Sequence, residues 1–192
     1  MHASRLLSRS VVAALVCLLV GPALSAGDGP QSVPGPVLVV ETVKGTFEIQ
    51  TYPAEAPKTV EQILALVKRN FYRGLRFHRI EKGFVVQVGD PQTRDMTKRE
   101  LWGRGPASGS GHPIGVAEFA KKLTHKKGAV AMAHAGDAAT ADSQFYVMLG
   151  NRPALDGKYT IWGQVISGMD VVEKIEVADG LKRITVKPGT GL

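Results

Sequence analysis

Cysteine is almost absent from this sequence, since Cys17 is the only one in 192 residues. One cysteine excludes an intrachain disulfide, a cysteine zinc cluster and a Cys-x-x-Cys redox centre. The apolar run Val11–Val20 covers about ten residues, too few to span a bilayer as a helix. The hydrophobic share of 44% is nevertheless that of an ordinary globular protein and excludes a disordered chain.

The N-terminus has the three parts of an export signal. Arg5 and Arg9 provide its positive charge, Val11–Val20 its apolar stretch, and the small residues up to Ala26 its cleavage site. We predict a signal peptide over residues 1–26. A retained membrane anchor is the alternative, which the early end of the apolar stretch disfavours.

The rest of the chain divides into a short tether and one domain. Residues 27–36 are rich in Gly and Pro and have no apolar period, which predicts a flexible linker. Residues 37–192 suffice for one domain with its own core. Cleavage would remove Cys17 and two arginines, lowering the formal net charge from +7 to +5, and a chain without a thiol suits an oxidising compartment. We expect an exported protein with no membrane association after cleavage. The bacterial periplasm is the favoured location, and a secreted form or a eukaryotic secretory compartment is the alternative.

A hairpin and a helix open the domain. Val37–Thr42 and Thr46–Thr51 read as two strands around the turn Val43-Lys44-Gly45. Pro57 suits the first turn of a helix with apolar positions at i, i+3, i+4 and i+7, namely Val60, Ile63, Leu64 and Val67.

Short strand candidates then follow one another with a single further helix, which begins at Gly168-Met169-Asp170. The candidate strands are Arg76–Ile80, Phe84–Val88, Ala129–His134, Ser143–Leu149, Tyr159–Val165 and Leu181–Val186. Many short strands with Gly and Pro turns indicate an antiparallel β-barrel or sandwich. The long Gly- and Pro-rich stretch Pro91–Gly115 is predicted to be an ordinary surface loop.

Three candidate strands carry the same unusual pattern on one face. Each face sets an uncharged hydrogen-bonding group beside an apolar one, in the pairs Val85 and Gln87, Met132 and His134, and Gln144 and Tyr146. Such a surface suits an apolar ligand that also presents backbone amides. The alternative is that these faces simply meet water.

Ordered blocks of the sequence resemble the cyclophilin family of peptidyl-prolyl isomerases. The resemblance runs from about Val37 to Val186, and several blocks in one order are far more specific than a lone motif. The blocks are Ala56-Pro57-Lys58-Thr59-Val60, Phe77-His78-Arg79-Ile80, Gly83 to Pro91, Gly128 to Ala135, Ser143-Gln144-Phe145-Tyr146, and Leu155-Asp156-Gly157-Lys158-Tyr159 followed by Trp162-Gly163.

The resemblance implies a mostly β fold, a closed eight-stranded antiparallel β-barrel capped by two α-helices, with the substrate groove outside the barrel. It implies a peptidyl-prolyl cis-trans isomerase that acts on X-Pro bonds of exported proteins and assists their folding. The implied partners are proline-containing peptides and unfolded proteins. No cofactor, metal or nucleic acid is implied, and we expect a monomer.

Residue roles carry over by position. The resemblance makes Arg79 the catalytic cation, helped by Phe84 and Gln87. It makes Met132, Tyr146 and Leu155 the walls of a proline pocket together with Phe84. The full set of implied substrate-binding residues is Val85, Met132, Ala133, His134, Gln144, Tyr146, Leu155 and Tyr159.

Four positions depart from the family's pattern. Val85 replaces a Met, His134 replaces an Asn, and Tyr146 replaces a Phe and adds a hydroxyl to the pocket. Ala154 stands where many eukaryotic members have a Trp that binds cyclosporin. We therefore expect weak cyclosporin binding.

Other functions fit the residues less well. A serine triad of Ser143, His134 and Asp137 lacks the Gly-x-Ser-x-Gly elbow. Nucleic-acid binding, suggested by the pI of about 9.6, lacks aromatic residues among the lysines. The alternative from a different class is a chaperone-like module that binds proline-containing segments, with isomerisation incidental. A zinc site lacks ligand spacing such as His-x-x-x-His, although four histidines were weighed: His78, His112, His125 and His134.

Overall fold

Eight strands form a single curled antiparallel sheet. A computed structural model describes residues 34–104 and 109–190, so the predicted signal peptide and most of the predicted linker lie outside the described residues. The order across the sheet is β3-β4-β6-β5-β7-β2-β1-β8. The strands are β1 (Val37–Thr42), β2 (Gly45–Thr51), β3 (Arg79–Glu81), β4 (Val85–Val88), β5 (Ala129–Met132), β6 (Phe145–Met148), β7 (Ile161–Ser167) and β8 (Leu181–Val186).

The sheet is a half-barrel, so the expectation of a closed barrel is wrong. Closure needs a continuous ladder between the two edge strands. The edges are β3 and β8, and no ladder joins these two strands among the described residues. The chain before β3 instead meets the chain leading into β8 through the isolated bridge between Arg76 and Gly180 and a few backbone hydrogen bonds, such as that from the Phe77 amide to the Asp179 carbonyl over 3.0 Å. A strand was expected over Arg76–Ile80, but β3 has only the three residues Arg79–Glu81. This strand is too short to form a continuous ladder with β8.

Two helices pack against the main core of the sheet. Helix α1 (Pro57–Lys68) begins with proline in its first turn and ends before Asn70, whose φ of 57° is left-handed. Its fully buried stripe includes Leu66, whereas the predicted Leu64 is only half-buried.

Helix α2 (Met169–Glu173) follows Gly168, whose φ is 77°. A Cβ on Gly168 would lie 2.5 Å from the carbonyl oxygen of Thr46, so the close approach of this turn to β2 requires glycine. None of the helices among the described residues is long and apolar enough to cross a membrane.

Four neighbouring strands, β4, β6, β5 and β7, are buried on both faces in whole or in large part. Their inner side chains join the main core, in which Trp162 and Phe145 meet edge to face with ring centroids 5.4 Å apart. Their outer side chains form a second cluster, which consists of Val85, Ala129, Ala131, Tyr146, Met148 and Ile161. The alternative that these faces meet water is therefore wrong, and the second cluster supports a site on the outer surface.

Candidate active site

A cavity of about 160 Å³, here called the site pocket, opens on the outer cluster. It is assembled from β3, β4 and β6 and from the chain that follows β5. Its lining residues are Arg79, Phe84, Val85, Gln87, Ala133, His134, Tyr146, Leu155 and Tyr159. The pocket thus joins one guanidinium, one amide, one imidazole and three six-membered aromatic rings from distant parts of the sequence.

The tight turn between β3 and β4 brings Arg79 and Phe84 together. The amide of Phe84 donates to the carbonyl of Glu81 over 2.9 Å, and Gly83 within this turn has a φ of 70°. The guanidinium carbon of Arg79 then lies 5.6 Å from the centre of the Phe84 ring. A cation in contact with the edge of an apolar pocket is the geometry expected for stabilising charge that develops at the pocket's mouth.

A chain of side-chain hydrogen bonds fixes one branch of Arg79. Its Nη1 donates to Oε1 of Gln87 over 3.2 Å, and Nε2 of Gln87 donates to Oε1 of Gln144 over 2.9 Å. Gln87 lies directly opposite Arg79 in the ladder of β3 and β4. The amide orientation of Gln87 is set by these two bonds, because its oxygen accepts from the cation and its nitrogen must donate.

Aromatic rings form the far wall of the site pocket. Tyr146 and Tyr159 meet nearly edge to face with centroids 5.9 Å apart, and the His134 ring stacks on Tyr159 at 4.4 Å. Nε2 of His134 lies 2.9 Å from the carbonyl oxygen of Lys158, so this nitrogen carries the proton. Burial raises the pKa of Tyr146 far above its ordinary value, and its hydroxyl remains a proton donor at every physiological pH.

A second cavity of about 430 Å³ adjoins the site pocket and shares Gln87, Ala133 and His134 with it. Its outer wall includes Gly103 and Gly109 from the stretch predicted to be an ordinary surface loop. This stretch contains two short 3₁₀ segments, Pro91–Arg94 and Met96–Leu101.

Asp142 ties the end of that stretch to the second cavity. One of its carboxylate oxygens accepts from the amides of Gly111 and His112 over 2.9 and 3.1 Å. The other accepts from the hydroxyl of Ser110. The stretch therefore contributes Gly103 and Gly109 to the wall of the second cavity as well as connecting two strands.

Nine of the eleven residues predicted for the site line the site pocket. Gln144 lines the second cavity and reaches the pocket through Gln87. Met132 is misplaced, because its side chain is fully buried in the main core and does not line the pocket. The reason is strand parity: Met132 and Val130 point inward, so Ala131 and Ala133 point toward the site.

Three site residues escaped the sequence argument. Glu81 accepts hydrogen bonds from Arg79, and the guanidinium carbon of Arg152 lies 5.4 Å from the centre of the Phe84 ring. His125 lies behind Tyr146, with which it shares a hydrogen bond. Only for Glu81 does the sequence carry a signal, since it lies two residues after Arg79 on the same strand face.

The rival sites considered from sequence do not assemble. The Ser143 hydroxyl donates to the Gly89 carbonyl over 2.8 Å, while Nε2 of His134 is engaged with Lys158, so the two do not form a nucleophile and base. Across residues 34–104 and 109–190, no group of three or more His, Cys, Asp or Glu side chains is arranged to hold a metal ion.

Sequence comparison matches most of the chain to one family. Residues 37–188 match the family described as "Cyclophilin type peptidyl-prolyl cis-trans isomerase/CLD". The chain is 35% identical over 180 residues to a probable peptidyl-prolyl cis-trans isomerase of Brucella abortus, covering 94% of this chain and 90% of that protein. It is 36% identical over 140 residues to human peptidyl-prolyl cis-trans isomerase-like 3, covering 72% of this chain and 81% of that protein.

Solved structures share the fold. A cyclophilin-type peptidyl-prolyl cis-trans isomerase from Cryptosporidium parvum superposes with a TM-score of 0.68 at 23% identity, covering 81% of this chain and 99% of that one. A second crystal structure of that protein, obtained in the presence of the dipeptide Ala-Pro, gives the same TM-score at 25% identity, with 80% and 99% coverage.

Proposed function

Because the chain belongs to the cyclophilin-type peptidyl-prolyl cis-trans isomerase family, we propose that the site pocket catalyses rotation about X-Pro bonds of exported proteins and so assists their folding. The chain itself is a peptidyl-prolyl cis-trans isomerase. One observation carries the assignment of the site: Arg79 shares a single cavity with the rings of Phe84 and Tyr146.

The reaction requires no nucleophile, since its obstacle is amide resonance. An X-Pro bond isomerises unaided in tens to hundreds of seconds over a barrier of about 20 kcal/mol. At the half-turned geometry the resonance is broken, and the prolyl nitrogen carries a localised lone pair. A fixed donor that meets this lone pair stabilises the twisted state more than either planar isomer.

Arg79 supplies that donor in the proposed mechanism. Its planar guanidinium presents several N–H donors, and its Nη1 is oriented by Gln87 over 3.2 Å. One oriented donor of this kind contributes about 3 kcal/mol to transition-state stabilisation. A rate increase of about 10⁵ requires about 7 kcal/mol, so the pocket must contribute the remainder.

The pocket contributes by holding the proline ring still while the preceding carbonyl turns. The rings of Phe84 and Tyr146 and the side chain of Leu155 offer an apolar enclosure for a pyrrolidine ring. The crystal structure of the Cryptosporidium parvum relative in the presence of Ala-Pro supports a proline-containing peptide as the ligand class.

Backbone groups beside the pocket suit an extended peptide. His134 follows the end of β5, and none of the described residues forms a backbone–backbone hydrogen bond with it. Its amide and carbonyl are thus in position to pair with the residue before proline, as in strand addition. The adjoining cavity of about 430 Å³ then receives the side chains that precede this residue.

Export of the protein is proposed from residues 1–26 alone. The test is expression with a C-terminal epitope followed by cell fractionation and mass measurement of the recovered protein. The proposal predicts a chain that begins near Gly27 outside the cytoplasm. A full-length chain retained in the cytoplasm contradicts it.

Refolding of a client whose slow phase is limited by a cis-proline tests the proposed role in folding. The wild type is expected to accelerate that phase and Arg79→Ala to lose most of the acceleration.

A chaperone-like binding module is the second candidate, favoured by the adjoining cavity, which extends the binding surface beyond a single proline. If Arg79→Ala still protects the client from aggregation as well as the wild type does, binding is the physiological role.

A further inference from the structure

The ring of His125 packs behind the pocket wall, against Tyr146 and Tyr159, without lining the pocket. We infer that His125 is a positioning residue for the isomerase reaction: its imidazole holds the hydroxyl of Tyr146 so that the tyrosine ring forms the wall of the proline pocket. The inference rests on the proposed role of the site pocket.

Both ring nitrogens of His125 are engaged. The residue is 1% exposed, Nδ1 lies 2.8 Å from Oδ1 of Asp156, and Nε2 lies 3.1 Å from the hydroxyl oxygen of Tyr146. An ionised carboxylate only accepts, so Nδ1 carries the proton and Nε2 is left as an acceptor. Tyr146 therefore donates to His125, and Asp156 sets the ring form that allows it.

The imidazole binds Asp156, but the backbone of His125 also holds the segment that contains Asp156. The segment around Leu155 is held by the backbone of His125, whose amide donates to Asp156 over 2.7 Å and whose carbonyl accepts from the Arg152 amide over 2.8 Å. These two bonds do not depend on the side chain. The ring itself reaches Tyr146, at a centroid distance of 6.2 Å, and the edge of Tyr159, at 6.3 Å.

The hydrogen bond between His125 and Tyr146 explains why a hydroxyl is tolerated in the apolar wall of the site pocket. Tyr146 is 4% exposed, and a buried hydroxyl without a partner is costly, so the ring would shift to find one. The Tyr146 ring can turn toward the site pocket, where its hydroxyl would meet water or displace the proline. The hydrogen bond to His125 satisfies the hydroxyl, so the Tyr146 ring stays in the wall. A phenylalanine at position 146 would need no such partner.

Kinetics on an Ala-Pro-containing peptide test the inference. His125→Leu is expected to raise KM about tenfold, because it leaves the Tyr146 hydroxyl unpaired. Its kcat is expected to stay within about twofold, since His125 does not contact Arg79. Tyr146→Phe has no hydroxyl for His125 to hold, so adding His125→Leu to Tyr146→Phe is expected to change the KM of that variant by less than about twofold.

A double variant whose KM is tenfold above that of Tyr146→Phe alone would show that His125 acts other than through the hydroxyl and would overturn the inference. So would an unchanged KM in His125→Leu. If His125→Leu does not fold, the double variant is compared with Tyr146→Phe alone, and equal KM values support the inference while a tenfold difference overturns it. His112→Gln, at an exposed histidine, is the matched control and should behave as the wild type. Loss of turnover in the wild type would instead count against the proposed function.

Discussion

Arg79 and Glu81 form an ion pair beside the site pocket, in which Nε and Nη2 of the arginine donate to Oε1 of the glutamate over 2.8 and 2.5 Å. The two residues lie on one face of β3, two positions apart. Their side chains are 46% and 49% exposed, so the pair adds little to stability. It nevertheless engages two donors of the proposed catalytic cation and offsets part of its charge.

Neutralising Glu81 should therefore increase activity. Glu81→Gln keeps an acceptor for Arg79 but removes the negative charge, and we expect kcat/KM to rise about twofold at low ionic strength. Salt screens the exposed pair, so the gain should shrink at high ionic strength. Steady-state kinetics at the two ionic strengths check this, and a fall in kcat/KM would show that Glu81 mainly orients Arg79.

Met132 should matter for stability and little for substrate binding. Met132→Ala removes a fully buried side chain from the main core, and we expect a loss of about 2–5 kcal/mol in the free energy of unfolding. Urea denaturation measures the loss, and KM of the folded fraction should be unchanged. Met96→Ala, at a methionine that is 42% exposed, is the control. A raised KM of Met132→Ala with unchanged stability would show that Met132 contacts the substrate in the site pocket.

Acid should weaken the segment that carries Asp156. Burial tends to raise the pKa of this carboxyl, but the hydrogen bonds from the ring and amide of His125 outweigh it, and the pKa lies below its ordinary value. The stability it contributes is present above the unfolded-state pKa of about 4 and is lost as the pH falls through the lower folded-state pKa. Thermal unfolding from neutral to acidic pH should show a smaller acid loss for Asp156→Asn than for the wild type. Identical pH profiles of thermal unfolding for the wild type and Asp156→Asn would contradict a stabilising role of the Asp156 carboxylate.

Cyclosporin should bind weakly, because Ala154 offers no aromatic surface. Ala154 is exposed in the short 3₁₀ segment Pro153–Leu155 at the rim of the site pocket. Ala154→Trp adds a large apolar ring there, and we expect at least about a tenfold gain in affinity. Fluorescence titration measures both proteins. Tight binding of cyclosporin by the wild type would show that an aromatic ring at position 154 is not needed for this affinity.

Alternation in the sequence predicted most of the elements, whereas the closed barrel implied by the family resemblance is wrong. β1 and β8 have the predicted bounds, and α1 begins at the predicted Pro57. The expected closed barrel is wrong because the three-residue β3 does not pair with β8; which strands pair across a sheet is a long-range property that no local pattern reveals.

Most residues predicted for the site lie together around one cavity. The face of a strand could not be predicted where both faces are apolar. Every residue of β5 is buried, so Ala129–Met132 gives no polar mark of which side faces the site. Met132 was consequently assigned to the wrong face. His125 was weighed only as a zinc ligand, because its contact with Tyr146 joins residues 21 positions apart and becomes visible only in the fold.

Turnover of a short X-Pro peptide by Arg79→Ala and Arg79→Lys tests the central claim most directly. Circular dichroism should show both variants folded, since Arg79 is largely exposed and outside the main core. We predict that Arg79→Ala lowers kcat/KM by about 10²-fold, and that Arg79→Lys, which keeps the charge without the planar fork, recovers part of it. Full turnover by folded Arg79→Ala would contradict the account.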